Sequence, residues 1–295
     1  MREDSIDFLR CPDCIGQFGL NITGQAGGEI THGILKCQAC GECFDIRDGQ
    51  ANLIFPMDLD KSTLSVENFY DQRPVYDYRP TAFRLGIWSI AFKNLSQIKK
   101  KWAARLALHE GASVLEIGVG NGGNLPFIAD VIGEKGFIHG LDISSACIKV
   151  ARERMMHRNT PTELVHGNAT YLPYKNDAFD AILCVGGIND FSDRKRALQE
   201  INRVAKAGAK IVIEDEGLAP DREKTLLGKY ILMCMKVFGN KPPVMDLPEG
   251  VEDLKIDWIY QRTFWVMEYR KRAQGRSSEP PDVANNTAQK VFYIK

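Results

Sequence analysis

The most constraining feature of the sequence is the alternation of short apolar segments with longer amphipathic segments between Gly111 and Glu216. The apolar segments predict buried strands, and the segments between them predict helices. Repeated strand–helix–strand units build a mainly parallel sheet that is covered by helices on both faces. We therefore expect an α/β fold of the Rossmann-like type over this part of the chain.

A glycine-rich turn follows the first of these strands. The strand begins near Ala112, and Gly118, Gly120 and Gly122 come directly after it. Glycine allows a tight turn and lets a ligand approach the backbone closely, while the next helix presents its N-terminal amides. Dinucleotide-binding enzymes share this pattern, so the turn alone predicts only a nucleotide-like ligand.

Polar residues stand at the ends of the following strands. Asp142 ends the second strand, where a carboxylate can accept hydrogen bonds from two ribose hydroxyls. Ligands of such folds bind at the carboxyl edge of the sheet, so a substrate is expected near Asn189 and Asp190, after the fourth strand. Asp190 and His166 are the candidate general bases, although each is more often a turn cap or a satisfied polar residue.

Four segments in this region resemble successive motifs of class I S-adenosylmethionine-dependent methyltransferases, especially the ubiquinone/menaquinone-type branch. They are VLEIGVGNGG, GLDIS, GNATYLPYKNDAFDAILC and EINRVAKAGAKIVIEDE, and the resemblance covers roughly residues 65–216. It implies a mainly parallel seven-stranded sheet and S-adenosylmethionine as cofactor. The glycines also satisfy the spacing of nicotinamide-dependent dehydrogenases, but the LPY…FDAIL run favours methyl transfer.

The resemblance also implies how the cofactor is held. Glu116 would fix the loop and the methionine amino group, Asp142 would bind the ribose, and Ile143 would pack on the adenine. Asn168 stands where the family usually has Asp, and its carbonyl oxygen can still accept from the adenine amino group. The expected contacts are Glu116, Gly118, Gly120, Asn121, Gly122, Asp142, Ile143, Asn168, Ala169, Val185, Tyr70 and Tyr78.

Two segments outside the strand–helix units are candidates for covering the site. The segment from Glu67 to Tyr78 resembles a lid helix of this branch, and packing of its aromatic residues on the sheet is an equally good interpretation. The apolar helix predicted from Thr225 to Phe238 is either a substrate cover or, more simply, a core helix. A strand pair near residues 253–260 and 263–270 is expected to complete the sheet.

The N-terminal segment contains two CxxC pairs, Cys11–Cys14 and Cys37–Cys40, separated by 22 residues. Four thiolates in two such turns close a tetrahedral zinc site and leave no position for water, so the site is structural. Cys43 is an alternative to Cys40. The segment FLRCPDC…LKCQACGECFDIRDGQANLIFP resembles the zinc-ribbon-like Trm112/YbaR type of domain, and a zinc module fused to a methyltransferase also resembles bacterial rRNA guanine methyltransferases.

These patterns predict four parts: a zinc-ribbon-like domain at 1–56, a helical linker or lid at 57–110, a cofactor-binding domain at 111–272 and a polar, flexible tail at 273–295. The formal net charge is zero, which disfavours nucleic acid as a partner. The sequence shows no signal peptide and no apolar run of membrane-spanning length, so we expect a cytoplasmic protein. The oligomeric state is left open.

We therefore expect methyl transfer to a small, apolar metabolite such as a quinone, lipid or polyketide-like compound. An RNA methyltransferase that uses the zinc module to hold RNA is the second hypothesis. It requires one basic face that unites the zinc module with the residues Lys99, Lys100, Lys101 and Arg105. A non-catalytic interaction protein with a vestigial cofactor fold is the third hypothesis, and the intact Glu116, glycines and Asp142 argue against it.

Overall fold

The computed structural model describes residues 1–75 and 95–273 and is built around one eleven-stranded sheet. The strands are β1 (Phe18–Ala26), β2 (Glu29–Cys37), β3 (Cys43–Arg47), β4 (Gln50–Leu53), β5 (Ser113–Ile117), β6 (Phe137–Asp142), β7 (Thr162–Gly167), β8 (Phe179–Val185), β9 (Ala205–Glu216), β10 (Val251–Ile259) and β11 (Phe264–Lys271). Their order across the sheet is β1-β2-β3-β4-β7-β6-β5-β8-β9-β11-β10.

Seven of these strands confirm the predicted α/β fold. Strands β7, β6, β5, β8 and β9 are parallel, and β11 and β10 complete this part of the sheet in antiparallel pairing. The order reverses at β5, because the chain moves first to β6 and β7 on one side and then to β8 on the other. A crevice opens beyond the carboxyl ends of the strands at such a reversal, and ligands bind there in open α/β sheets.

Helices cover both faces of the sheet. The helices are α1 (Lys61–Asp71), α2 (Leu95–Arg105), α3 (Leu125–Ile132), α4 (Ser145–Met155), α5 (Arg194–Val204), α6 (Pro220–Glu223) and α7 (Leu226–Cys234). Apolar residues of α2, α3 and α4 pack on one face, and those of α5 pack on the other. Side chains of β5 point alternately to the two faces of the sheet. Val114 packs in the core formed with α2, α3 and α4, and Leu115 packs in the core formed with α5.

The strands of the N-terminal module extend the sheet. Its strands β1 to β4 pair antiparallel with one another, and β4 then pairs parallel with β7, placing Asn52 beside His166 and Leu53 beside Gly167. Without this contact, β7 would be an edge strand with unpaired backbone groups. The module therefore covers an edge that the other seven strands would expose.

Side chains join the two parts as well. Leu9 and Phe18 of the module belong to the same buried core as Leu115 and Phe179 of the central strands. On the surface, the Arg152 guanidinium donates to the carbonyl oxygens of the Asp48–Gly49 turn at 2.7 and 2.6 Å. The module and the sheet are therefore packed as one unit.

Two element boundaries depart from simple sequence signals. Glycine often follows the end of a helix, but helix α5 ends at Val204, four residues before Gly208, because the backbone of Ala205 already pairs with Phe179 in the sheet. Gly208 has a φ of +80° within the irregular start of β9, so it marks a distortion of the strand and not a helix stop. The helix predicted over 225–238 ends at Cys234 and is followed by a 3₁₀ turn.

A buried histidine lies where the module meets the sheet. The ring of His139 in β6 packs against Phe8, Phe137, Tyr174 and Phe179, with centroid distances of 4.5 to 5.4 Å. Neither ring nitrogen has a hydrogen-bond partner among the described residues. Burial lowers the pKa of His139 to about 3, so the ring is neutral in the folded protein.

We predict that His139 makes the protein sensitive to acid. Below pH 6.5 the unfolded chain binds a proton at this residue and the folded chain does not until the pH approaches 3. The free energy of unfolding should therefore fall by up to about 1.4 kcal/mol per pH unit in this window. His139→Phe should remove this component in denaturant titrations between pH 7 and pH 4, measured as the difference from the wild type, and the exposed control His157→Gln should not. Equal pH dependence in wild type and His139→Phe would contradict the prediction.

Candidate functional site

A cavity of about 340 Å³ lies beyond the carboxyl ends of the parallel strands, at the reversal of strand order. Ten of the twelve residues expected to contact the cofactor line it, although they are spread over a hundred positions of the chain. They are Tyr70, Glu116, Gly118, Gly120, Asn121, Asp142, Ile143, Asn168, Ala169 and Val185. Tyr78 is outside the described residues, and Gly122 is not among the residues that line the cavity.

The glycine turn after β5 has the backbone geometry that the sequence predicts. Gly118 and Gly120 have φ values of +68° and +51°, a region that favours glycine. The Gly118 amide donates to the carbonyl of Leu141 at 2.8 Å, and the Gly120 amide donates to Asp142 Oδ2 at 2.7 Å. The turn is therefore held against the end of β6, and its backbone forms one wall of the cavity.

Asp142 organises the end of β6. Its Oδ1 accepts from the Ser144 amide at 2.8 Å, in addition to the bond from Gly120 to Oδ2. Burial raises the pKa of Asp142 to about 6, and the two backbone donors oppose this shift. A carboxylate has about four acceptor positions, so both oxygens can still accept from a ligand in the cavity.

Glu116 is the most strongly perturbed acid of the glycine turn. Its Oε1 accepts from the Asn124 side chain at 2.7 Å, and its buried Oε2 has no partner in the described part of the chain. Burial raises the pKa of Glu116 to about 8. An unsatisfied buried carboxylate oxygen is costly, so this position calls for a cationic or hydrogen-bond-donating ligand.

Gly122 and Asn168 have surroundings that sequence reasoning did not predict. Gly122 does not line the cavity; a side chain there would begin 2.9 Å from Ala151 of α4, so glycine is required by helix packing. Asn168 does line the cavity, but its Oδ1 already accepts from the amide and hydroxyl of Thr170, at 3.0 and 2.8 Å. The oxygen expected to meet the adenine amino group is therefore already used within the turn.

Helix α1 places Tyr70 over the cavity. Asp60 caps its N-terminus, and Asp71 near its end accepts from the Ser144 hydroxyl at 2.6 Å and from the Ala146 amide at 3.2 Å. The carboxylate of Asp71 is thus fixed at the N-terminus of α4, where negative charge is favourable. The Tyr70 hydroxyl, 3.4 Å from Asp190 Oδ2, consequently lies at the wall of the cavity.

The two candidate general bases are in different places. Asp190 lines the cavity, and burial together with the charge of Glu216 raises its pKa. His166 is not among the lining residues; its Nε2 donates to the Ile143 carbonyl at 2.8 Å, and burial lowers its pKa. His166 is thus a satisfied structural residue, because its ring supports the backbone beside Ile143.

Several residues of the cavity were not predicted to be functional. Glu214 and Glu216 at the end of β9 line it, together with Tyr260 from the turn after β10 and Lys99 from α2. Side chains alternate along a strand, so Glu214 and Glu216 share one face while Asp215 points to the other and binds Asn189 at 2.8 Å. The alternation of side chains along β9 could have predicted that Glu214 and Glu216 point to the same side. No sequence pattern predicts that Tyr260 and Lys99 line the cavity.

The basic face required by the RNA hypothesis does not form. Lys99 lines the cavity, and Arg105 makes ion pairs with Asp257 in β10 and Glu268 in β11. These two strands are at one end of the sheet, and the N-terminal module is at the other. Of the four basic residues, only Lys100 and Lys101 remain exposed and outside the cavity, so the four do not form one basic face with the module.

The four predicted zinc ligands converge in the N-terminal module. The sulfur atoms of Cys11, Cys14, Cys37 and Cys40 all lie within 4.8 Å of one another. Two of these distances, Cys11–Cys40 and Cys14–Cys37, are 3.7 and 3.5 Å. A tetrahedron with zinc–sulfur bonds of about 2.3 Å has edges of about 3.8 Å, so the cluster fits one zinc ion.

Two neighbours define the cysteine cluster further. Cys43 is exposed and outside the cluster, which decides between the alternatives in favour of Cys40. Gly16 was not singled out from the sequence, yet a side chain there would begin 2.7 Å from the Cys37 sulfur. Glycine at this position therefore keeps space for the sulfur atoms.

Comparison with solved structures shows the same fold. Geranyl diphosphate C-methyltransferase from Streptomyces coelicolor has a TM-score of 0.56 at 12% identity, covering 73% of this chain and 100% of that one. Phosphoethanolamine N-methyltransferase 2 from Haemonchus contortus has a TM-score of 0.54 at 16% identity, covering 74% of this chain and 62% of that one. Both similarities are to methyltransferase folds.

Curated relatives include demethylmenaquinone methyltransferases. The protein from Shouchella clausii is 36% identical over 115 residues, which are 39% of this chain and 49% of that protein. The protein from Anoxybacillus flavithermus is 32% identical over 158 residues, which are 51% of this chain and 65% of that protein. The chain thus spans between half and two thirds of the length of these relatives.

Family models match both parts of the chain. The model described as Trm112p-like protein matches residues 3–49, which contain the four clustered cysteines. The model described as the ubiE/COQ5 methyltransferase family matches residues 87–239, which are more than half of the chain and contain most of the residues that line the cavity. The chain therefore belongs to the ubiE/COQ5 methyltransferase family and has a Trm112-like segment at its N-terminus.

Proposed function

We propose that this protein is an S-adenosylmethionine-dependent methyltransferase. The observation that carries the proposal is the buried Oε2 of Glu116, which has no partner in the described part of the chain and belongs to a residue that lines the cavity beside the glycine turn. The ammonium group of the cofactor's methionine end would supply the missing hydrogen-bond donors. When bound, the cofactor supplies a methyl group that is already activated on a sulfonium.

The other lining residues fit the remaining parts of the cofactor. The two oxygens of Asp142 accept from the ribose hydroxyls, Ile143 packs on the adenine, and Gly118 and Gly120 leave room for close approach. The oxygen of the Asn168 amide already accepts from Thr170. The NH₂ group of this amide would therefore be the part that contacts the adenine, by donating to a ring nitrogen. The main contribution of these residues to the rate is alignment of the methyl group with the acceptor.

We propose that the methyl acceptor is a small, mainly apolar molecule such as a reduced quinone. Val185, Phe191 and Phe264 line the end of the cavity formed by β8, β9 and β11, and they offer apolar contact surface. The names of the curated relatives suggest reduced demethylmenaquinone as the first acceptor to test. An RNA acceptor is disfavoured by the absence of the required basic face, and a non-catalytic role leaves the unsatisfied Glu116 unexplained.

Glu214 is the group that we propose takes the proton released by methylation of a ring carbon. A bound cofactor would supply the methyl group to that carbon, and the proton that the carbon loses would pass to the Glu214 carboxylate. Glu214 is 4% exposed and lines the cavity, and its carboxylate has no hydrogen bond or ion pair within residues 1–75 and 95–273. Burial and the charge of Glu216 raise its pKa well above the ordinary value, as suits a base working near neutral pH.

Asp190 is the alternative base, and it is the weaker candidate because the Tyr70 hydroxyl already donates to it.

The zinc module has a structural role in this proposal. It closes four thiolates around one ion, covers the edge strand β7 and shares the core of the sheet. A module of this size cannot bury enough apolar surface to fold alone, so metal binding supplies part of its folding free energy.

The role of Glu116 predicts proton release on cofactor binding. With a pKa of about 8, Glu116 is mostly protonated at pH 6.5, and contact with the ammonium group stabilises its ionised form. Calorimetry in two buffers of different ionisation enthalpy should show release of about one proton for the wild type and almost none for Glu116→Gln.

Asp142→Ala should weaken binding at least about tenfold, since two charge-assisted hydrogen bonds are lost. No binding heat from the wild type would contradict the proposed function itself.

The roles of the two glutamates are separable by pH. Glu214→Gln should lower kcat for reduced demethylmenaquinone about 100-fold or more with little change in KM, and should remove the acid limb of the kcat profile. Glu216→Gln should instead move that limb to lower pH, because it removes a negative charge that raises the pKa of Glu214. Both variants should bind S-adenosylmethionine like the wild type. An unchanged acid limb in Glu214→Gln would assign proton transfer to another group.

Zinc content tests the cysteine cluster. The wild type should contain about one zinc per chain by mass spectrometry of the metal. Cys11→Ser and Cys37→Ser should each abolish stoichiometric zinc and lower the unfolding temperature, whereas the exposed control Cys43→Ser should keep both. Loss of zinc in Cys43→Ser, or its retention in Cys11→Ser, would show that the ligand set is wrong.

A further inference from the structure

Helix α7 is apolar on both its inner and its outer side. Its buried residue Ile231 packs against Leu218, Phe238 and Phe264. Its outer side carries large apolar residues that are mostly exposed: Leu226 (88%), Leu227 (49%), Tyr230 (49%) and Met233 (73%). A helix that is apolar all round is normally buried on all sides, so the outer residues call for a partner.

The exposed residues form one continuous stripe. At 3.6 residues per turn, Leu226, Tyr230 and Met233 follow one another along a single line, and Leu227 widens the stripe to an arc of roughly 120°. We call these four residues the outer face of α7. This arc is the width expected of a helix that lies flat on an apolar phase.

Basic residues border the outer face. Lys224, Lys229 and Lys236 are exposed, and none of them forms an ion pair within the residues that the structure describes. The acids on the preceding turn are already neutralised, because Asp221 pairs with Arg262 and Glu223 pairs with Lys241. The border of the outer face is therefore positively charged, which favours a negatively charged partner.

The outer face lies next to the acceptor end of the cavity. Phe264 lines the cavity and packs against the inner side of α7, and Tyr260 does both as well. Helix α7 itself and the layer of side chains beneath it thus separate the outer face from the acceptor end of the cavity. None of the described helices is long and apolar enough to cross a membrane.

We propose that the outer face of α7 rests on an anionic lipid bilayer, so that a lipid-soluble methyl acceptor can enter the cavity from the membrane surface. Leu226, Leu227, Tyr230 and Met233 enter the boundary of the acyl chains, and the three lysines contact lipid phosphates. A second copy of the chain is a poor occupant of this face, because a two-fold contact would bring equal positive borders together. Four side chains also fall far short of the about 20–30 residues a side of a stable dimer.

The reason for membrane contact, delivery of a lipid-soluble acceptor, rests on the proposed function. Vesicle binding itself does not require catalysis and can be tested separately. The test is co-sedimentation of the full chain with vesicles of equal parts phosphatidylcholine and phosphatidylglycerol. The wild type should bind, and about 0.5 M salt should weaken binding. Leu226→Glu with Met233→Glu should lower the partition coefficient at least about tenfold, because two exposed apolar residues become charged. The matched control Met156→Glu, at an equally exposed methionine after α4, should change it by less than about twofold.

A second variant tests the charges. Replacing Lys224, Lys229 and Lys236 by Gln should remove the preference for anionic over pure phosphatidylcholine vesicles. Calorimetry with S-adenosylmethionine should be unchanged in all variants, so loss of vesicle binding is distinguishable from failure of the proposed function. The proposal is overturned if the wild type does not bind anionic vesicles, or if the double glutamate variant binds like the wild type. Self-association that the same variant abolishes, measured by sedimentation velocity without lipid, would assign the face to a second copy and also overturn it.

Discussion

The parallel pairing of β5 with β6 on one side and β8 on the other is the constraint on which the rest of the structure depends. Because the strands run in the same direction, their carboxyl ends meet at one edge, and the chain must leave β5 through a turn that no side chain obstructs. Gly118 and Gly120 make that turn, and the amides of the turn bond to Leu141 and Asp142 at the end of β6. Backbone geometry therefore creates the cavity before any functional side chain is considered.

The cavity concentrates acidic groups with raised pKa values at places where they are useful. Glu116 is beside the glycine turn, Asp142 ends β6, and Glu214 and Asp190 are near the ends of β9 and β8. Burial is the main cause of the raised pKa in each of them. Burial of such groups lowers the stability of the folded protein. Binding of a cationic cofactor and of an acceptor that releases a proton would explain why these acids are buried at the cavity.

The Trm112-like module changes what the methyltransferase sheet exposes. In an isolated sheet of this order β7 would be an edge, but β4 pairs with it and three further strands follow. The aromatic residues around His139 come from both parts, as Phe8 belongs to the module and Phe137 to β6. Loss of zinc would therefore disturb the β7 edge and the core around β6 as well as the module itself.

The sequence by itself determined the class of fold, and it identified the four cysteines that cluster and ten of the residues that line the cavity. Strand periodicity, CxxC spacing and glycines at strand ends are local patterns, and local patterns specify which backbone a segment adopts and which residues end a strand. The division of the chain at 56, 110 and 272 remains a prediction, because the first and third parts are packed together and residues 76–94 and 274–295 are outside the described part.

Only the tertiary structure decided which distant residues share the cavity and which faces stay open. Lys99 turns inward and Arg105 pairs with β10 and β11, so two of the four residues of the expected basic face are used elsewhere. Gly122 serves helix packing, and His166 supports a backbone carbonyl. These outcomes depend on contacts between residues far apart in the chain. The spacing of residues within one segment does not identify the distant residues that its side chains contact.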